Sequence, residues 1–221
     1  MDLFSINYFP ALLTGLLLVF IIREAATYAG IIRLKYIFTP LITGLIIGFV
    51  VLSIAVWDVN QYRALILTAL ILSLIADTVM MIIEVNLVLY GIIYFMSAHI
   101  MYSAAFSMDY SFKAWNIIVA VILLVALFFI FMRIKGKTAG LDIPVLIYAI
   151  VIFVMLFFAV SSANHGVGQK SAFILTGAVL FVLSDLALAY FTFIRPYKHE
   201  SVIAWALYAP GQLLIALSCF D

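Results

Sequence analysis

Polar residues punctuate this chain at short intervals. Between them run stretches of about twenty residues that are apolar on every face. A helix crossing the hydrocarbon core of a bilayer needs about 20 such residues. The rule predicts eight spans, at 8–22, 36–56, 62–83, 87–106, 115–132, 143–160, 172–194 and 202–220. A strand would alternate in polarity at every second residue, and these runs do not. Irregular backbone is not tolerated against lipid, so the runs read as helices. Only the connectors 23–35, 133–142 and 161–170 exceed a turn. The predicted fold class is all-α: a polytopic membrane helix bundle of about eight transmembrane helices, with residues 1–221 as a single transmembrane domain.

Composition agrees with the pattern. Apolar residues make up 68% of the chain and charged residues 10%, where a soluble domain has about half and about a quarter. So few charges leave no room for a sizeable soluble domain. A formal net charge of +1 offers no basic stripe to neutralise phosphates, which excludes a nucleic-acid partner. The lone Cys219 has no internal disulfide partner. The N-terminus lacks a basic region ahead of its first apolar run, so that run reads as a retained span rather than a signal peptide. With eight spans, Arg23, Arg33, Lys35, Arg133, Lys135, Lys137, Arg195 and Lys198 fall on one side, and Arg63, Lys113 and Lys170 on the other. The bias places the first group in the cytoplasm and both termini outside. The expected location is a cell membrane, that of a bacterium.

Two acidic residues interrupt the apolar runs. Asp77 closes Leu72-Ser-Leu-Ile-Ala-Asp77, and Asp185 closes Leu183-Ser184-Asp185. An aspartate at the centre of a membrane helix costs roughly 2.5–3.5 kcal/mol on insertion scales, and such residues face a bundle interior or a wet cavity. Asp77 lies seven residues before Glu84 and Asp185 ten before Arg195. That is roughly 10 and 15 Å from the cytoplasmic end at 1.5 Å per residue. The two carboxyls therefore lie at similar depth, and they meet if the third and seventh spans are neighbours. The aspartates are 108 positions apart, and Pro40 and Pro144, each near a span start, are 104 apart. This spacing reads as an internal repeat of two parallel four-helix halves with the site between them.

Helical spacing groups further polar residues. Phe95, His99 and Tyr102 share one face of the fourth span, Ser73 and Asp77 one of the third, and Tyr208 and Gln212 one of the eighth. Tyr94, Tyr148 and Ser184 are further lining candidates. Ser184 has the plainer role of bonding backbone within its own helix, and a single His or Tyr in a bundle is most often a packing residue. Glu84 and Asp109 fall at loops and read as solvated, and Glu24 as an ion-pair partner of Arg23. Gly177 and Ala178 suit close helix packing. No G-x-S-x-G or H-E-x-x-H occurs, and no phosphate-cradling glycine loop. His165 and His199 fall in loops on opposite sides, which leaves only a mixed Asp77, Asp185 and His99 set as a minor metal alternative; no metal or cofactor is expected. Two buried carboxyls holding one proton between them form a coupled dyad, suited to general acid–base work without a covalent intermediate.

At these residues the chain resembles the YhhN family of multi-pass membrane proteins, whose characterised members are lysoplasmalogenases. The likeness runs from about Tyr36 to Ala216. The family's G-x-x-x-F-x-x-x-H-x-x-Y after a helix-borne aspartate matches Gly91, Phe95, His99 and Tyr102 after Asp77. Its G-A-x-x-F-x-x-S-D matches Gly177, Ala178, Phe181, Ser184 and Asp185, and its closing Tyr-x-x-x-Gln-x-Leu-Ile matches Tyr208, Gln212, Leu214 and Ile215. Two positions depart: Ala76 stands for a usual Gly, and Thr39-Pro40 for a usual Lys-Pro. If that lysine grips a substrate phosphate, nearby Lys35 replaces it only in part. The resemblance implies hydrolysis of the vinyl ether bond of a lysoplasmalogen to a fatty aldehyde and a glycerophospho-base. One of Asp77 and Asp185 would donate the proton and the other would stabilise the cation, with His99, Tyr102, Tyr94, Tyr148, Ser184, Tyr208 and Gln212 in support. The expected partners are the lysophospholipid substrate and membrane lipid; the oligomeric state stays open. Two rival readings are a small proton-coupled transporter and a non-catalytic lipid-binding membrane protein.

Overall fold

The structure, a computed structural model, describes residues 3–82, 87–108, 110–165 and 168–220. Glu84 and Asp109 lie outside the described residues. Eight helices among them are long and apolar enough to cross a membrane. They are α1 (Phe9–Tyr28), α2 (Ile32–Trp57), α3 (Gln61–Met81), α4 (Val88–Phe106), α5 (Trp115–Ile134), α6 (Asp142–Ser161), α7 (Gln169–Phe193) and α8 (Glu200–Leu217). The chain is a multi-pass membrane helix bundle.

Local chemistry sets several boundaries. Pro10 opens α1, where its missing N–H costs nothing. The Asn60 side chain caps α3 by accepting from the Arg63 backbone N–H at 2.8 Å. The helices α7 and α8 cross through two glycines. A Cβ on Gly177 would lie 2.8 Å from the Gly211 carbonyl oxygen, and one on Gly211 would lie 3.0 Å from that of Gly177. Only hydrogens at both positions let the backbones approach this closely.

Six helices form a ring in which neighbours pack in the order α2, α3, α4, α6, α7, α8 and back to α2. The helix α1 packs outside against α2 and α8, and α5 outside against α6. Each half repeats the same scheme. The tight pair α3–α4 corresponds to α7–α8, and the contact of α4 on α6 corresponds to that of α8 on α2. This matches the two parallel four-helix halves expected from the spacing of the aspartates.

Two expectations are corrected. The first span does not stop at 22: α1 continues to Tyr28, and Arg23, expected in a cytoplasmic connector, is wholly buried. The Arg23 and Glu24 charges that ended the apolar window pair with each other within the bundle, so the helix has no reason to stop there. Secondly, the third and seventh spans are not neighbours. The main neighbours of α3 are α2 and α4, and those of α7 are α8 and α6, so α3 and α7 face each other across the ring.

Candidate functional site

The ring holds a cavity of about 350 Å³ at the end where α3, α7 and α1 finish and α4, α6, α8 and α2 begin. We call this the basic end, since Arg33, Arg133 and Arg195 lie there. Below the cavity the ring is plugged by Ile46, Phe49, Ile66, Leu70 and Ile215, all fully buried. The floor itself is aromatic. The Phe181 ring packs edge-on to His99 at 4.7 Å and to Tyr208 at 5.0 Å between centroids.

Both aspartates line this cavity. Asp77 Oδ2 accepts from the Thr43 hydroxyl at 2.7 Å and from the Tyr208 hydroxyl at 3.0 Å. Gln212 Nε2 in turn donates to the Tyr208 oxygen at 2.7 Å. Across the ring, the Tyr148 hydroxyl donates to Asp185 Oδ2. His99 Nε2 lies 3.0 Å from the Tyr148 oxygen and 3.6 Å from Asp185 Oδ2. The two networks correspond. Asp77 on α3 is held from α2 and α8, and Asp185 on α7 is held from α6 and α4. Thr43 and Tyr148 even sit at nearly the same offset after Pro40 and Pro144.

The expected coupled dyad does not take the form of a shared hydrogen bond. Among the described residues no hydrogen bond joins Asp77 to Asp185; each carboxyl has its own tyrosine. The reason is the ring geometry, which interposes α4 and α6 between their helices on one side and α2 and α8 on the other. Nor do Asp77, Asp185 and His99 gather as a metal-ligand group among the described residues.

Tyr148, Ser184 and Tyr208 line the cavity with the aspartates. His99 and Gln212 stand one step behind, each braced against a lining tyrosine. Tyr102 is fully buried beneath the floor, with its ring 6.2 Å from Phe181. Tyr94 is half-exposed and does not line the cavity. Ser184 does bond backbone, but across to the Ala204 carbonyl of α8 at 2.9 Å rather than within its own helix. Of the two loop histidines, His165 closes a 3-10 turn at Ser162–His165, and the His199 ring stacks on Tyr28 at 4.4 Å.

Three participants escape a reading of the sequence by polarity: Thr43, Arg23 and Trp205. Thr43 follows Thr39 at i, i+4, so the two mark one face of α2. Arg23 continues the buried series Phe9, Leu16, Arg23 at heptad spacing. That series was the available signal that the residue points inward. Its guanidinium sits over the Trp205 ring at 4.3 Å, and it pairs with Glu24 at 2.5 Å.

The family model described as the YhhN family matches residues 34–219, a stretch that contains both aspartates and every lining tyrosine. No curated protein and no solved structure matches the chain.

Proposed function

We propose that this chain, which belongs to the YhhN family, is an intramembrane hydrolase of the vinyl ether bond of lysoplasmalogens. The observation that carries the reading is the placement of two aspartates on facing walls of one cavity, each braced by a tyrosine hydroxyl. Vinyl ether hydrolysis needs a proton delivered to carbon and a water delivered to the neighbouring carbon. Two separated carboxyl groups supply both, as in glycoside cleavage through an oxocarbenium-like transition state.

In this mechanism Asp77 is the acid. Its partners Thr43 and Tyr208 are neutral hydroxyls that both bond Oδ2, which leaves Oδ1 to carry the transferable proton. The proton goes to the β-carbon of the vinyl ether, and the double-bond electrons form the new C–H bond. Positive charge then develops across the α-carbon and the ether oxygen. Asp185, beside His99 and Tyr148, is the carboxylate that stabilises this charge and takes a proton from the attacking water. The hemiacetal so formed collapses. Its C–O bond to glycerol breaks, the glycerol oxygen is protonated, and a fatty aldehyde leaves. One water is consumed and no redox partner is needed. The proton lost by Asp77 is restored by the one gained at Asp185 through solvent in the cavity.

The cavity is built for one end of a lipid. Its walls are mostly apolar, with Phe95, Leu188, Ile92 and Met80 among them, and the charged groups collect at the basic end. In the proposed orientation that end faces the cytoplasm. The test is aldehyde release from lysoplasmalogen by the purified protein in liposomes, with the 1-acyl lysophospholipid as control. Release from the vinyl ether lipid alone is expected. Transport of lipid without turnover would overturn the reading in favour of a transporter.

A further inference from the structure

Arg23 is the largest fully buried side chain in the described protein, and the acid–base chemistry above makes no use of it. It reaches from α1 between α2 and α8 to the cavity wall. Its Nε donates to the Thr39 hydroxyl at 3.3 Å, its Nη1 to Glu24 at 2.5 Å and to the Ser201 carbonyl at 3.3 Å, and its Nη2 to the Ser201 hydroxyl at 2.9 Å. These contacts use four of the five guanidinium N–H groups. Lys35 lines the same end of the cavity. It lies within electrostatic range of Arg23, Glu24 and Glu200, yet its ammonium makes no hydrogen bond or ion pair with any described residue. A lysine pointed into a cavity with its ammonium uncommitted has donors to offer a ligand.

We infer that Arg23 and Lys35 hold the phosphate of the lipid head group and thereby set the register of the substrate against Asp77. The inference rests on the lysoplasmalogen reading for the identity of the lipid, but not for the phosphate contact. The ruler is α2. Thr39, which Arg23 touches, and Thr43, which donates to Asp77, are one helical turn apart, about 6 Å along the axis at 1.5 Å per residue. That is the scale of the three-carbon glycerol unit between a lysoplasmalogen's phosphate and its vinyl ether. The one uncommitted N–H of Arg23 and the ammonium of Lys35 are charged donors of the kind a phosphate ester accepts, and the Trp205 ring lies 4.3 Å beneath the guanidinium. Glu200 also lines this end, so a phosphate bearing a cationic base matches the rim better than a bare phosphate does.

Trp205 gives a readout independent of turnover, because it lies against Arg23 and lines the cavity. The experiment titrates the detergent-solubilised full chain with 1-acyl lysophosphatidylcholine, with the monoacylglycerol of the same chain length, and with inorganic phosphate, following tryptophan fluorescence. The Trp205→Phe protein identifies the responding ring. The wild type should bind the lysophospholipid at least roughly tenfold more tightly than the monoacylglycerol, the scale of one hydrogen bond to a charged group. Lys35→Gln should remove most of that preference, as should the double change Arg23→Gln with Glu24→Gln, which leaves no unpaired buried charge. Both should leave monoacylglycerol binding unchanged. Equal wild-type affinity for the two lipids would overturn the inference, as would variants that weaken both alike. Displacement of the lysophospholipid by inorganic phosphate at similar concentration would overturn the lipid as the source of the phosphate. If phosphate-dependent binding holds while no aldehyde is ever released, the head-group site stands and the hydrolase reading falls.

Discussion

Asp77 and Asp185 hold corresponding places in the two halves of the bundle, yet their surroundings differ in kind. Asp77 is buried, with two neutral hydroxyls on one oxygen. Asp185 keeps 16% of its side chain exposed and has an imidazole 3.6 Å away. The halves also differ outside the ring. The first contributes a peripheral helix that delivers Arg23 to the cavity, whereas Arg133 near the corresponding end of α5 is exposed. On the proposed mechanism the two halves, alike in their helix contacts, place an acid, a phosphate contact and their helix on one side, and a carboxylate with its imidazole on the other. Corresponding placement brings both carboxyls to one cavity, and in the proposed mechanism the departure from symmetry lets them do different work.

The largest expected effect comes from removing the acid. Asp77→Asn should lower aldehyde release by about 10²–10⁴-fold, the range for a general acid, with the protein still folded by thermal melting. Asp185→Asn should cost about 10²–10³-fold, since an amide still orients water but offers no charge to the cation. An Asp185→Asn loss larger than that of Asp77→Asn would reverse the two roles. Next comes a change that disturbs both halves together. Gly177→Val would push α8, which carries Tyr208, off α7, which carries Asp185. Overpacking of this sort costs about 1–3 kcal/mol, read as a lowered melting temperature with activity lost in parallel.

The braces should rank below these. Tyr208→Phe and Tyr148→Phe each remove one hydrogen bond to a carboxyl group, worth about 1.5–3 kcal/mol or roughly tenfold to a hundredfold in rate. His99→Ala should resemble Tyr148→Phe and add little when combined with it, because both act on Asp185 through one chain of contacts. Thr43→Val removes a second donor from an oxygen that Tyr208 still serves, and should cost only about fivefold. The smallest effect is expected outside the ring: Phe128→Ala, at a 59% exposed position on α5, should leave turnover unchanged.

Much of this was legible in the sequence, for identifiable reasons. Eight spans follow from hydrophobic runs because lipid allows few alternatives. The two aspartates stand out because hydrocarbon makes them costly. Gly177 announced a close approach, and the structure supplies Gly211 as its partner. What stayed hidden was mutual arrangement. Polarity marks Tyr94 and Tyr148 alike, but only packing turns Tyr148 into the cavity and leaves Tyr94 at the periphery. Thr43 was silent because a threonine in a membrane helix usually bonds its own backbone, as Thr68 and Thr78 do here. Arg23 was misplaced because a charge at the end of an apolar window looks like an exit to water. Its heptad spacing from Phe9 and Leu16 carried the opposite message.

The central claim is that an enzyme carboxyl delivers a proton to carbon across a cavity whose far wall handles the water. Hydrolysis of lysoplasmalogen in D₂O tests it, with the aldehyde reduced as it forms to prevent later exchange, and the resulting alcohol read by mass spectrometry and NMR. The mechanism predicts one deuterium per molecule, on the carbon next to the former carbonyl and delivered to a single face, with the signal lost in Asp77→Asn. Aldehyde formed without deuterium at that carbon, or with it on both faces equally, would contradict proton delivery by a fixed aspartate.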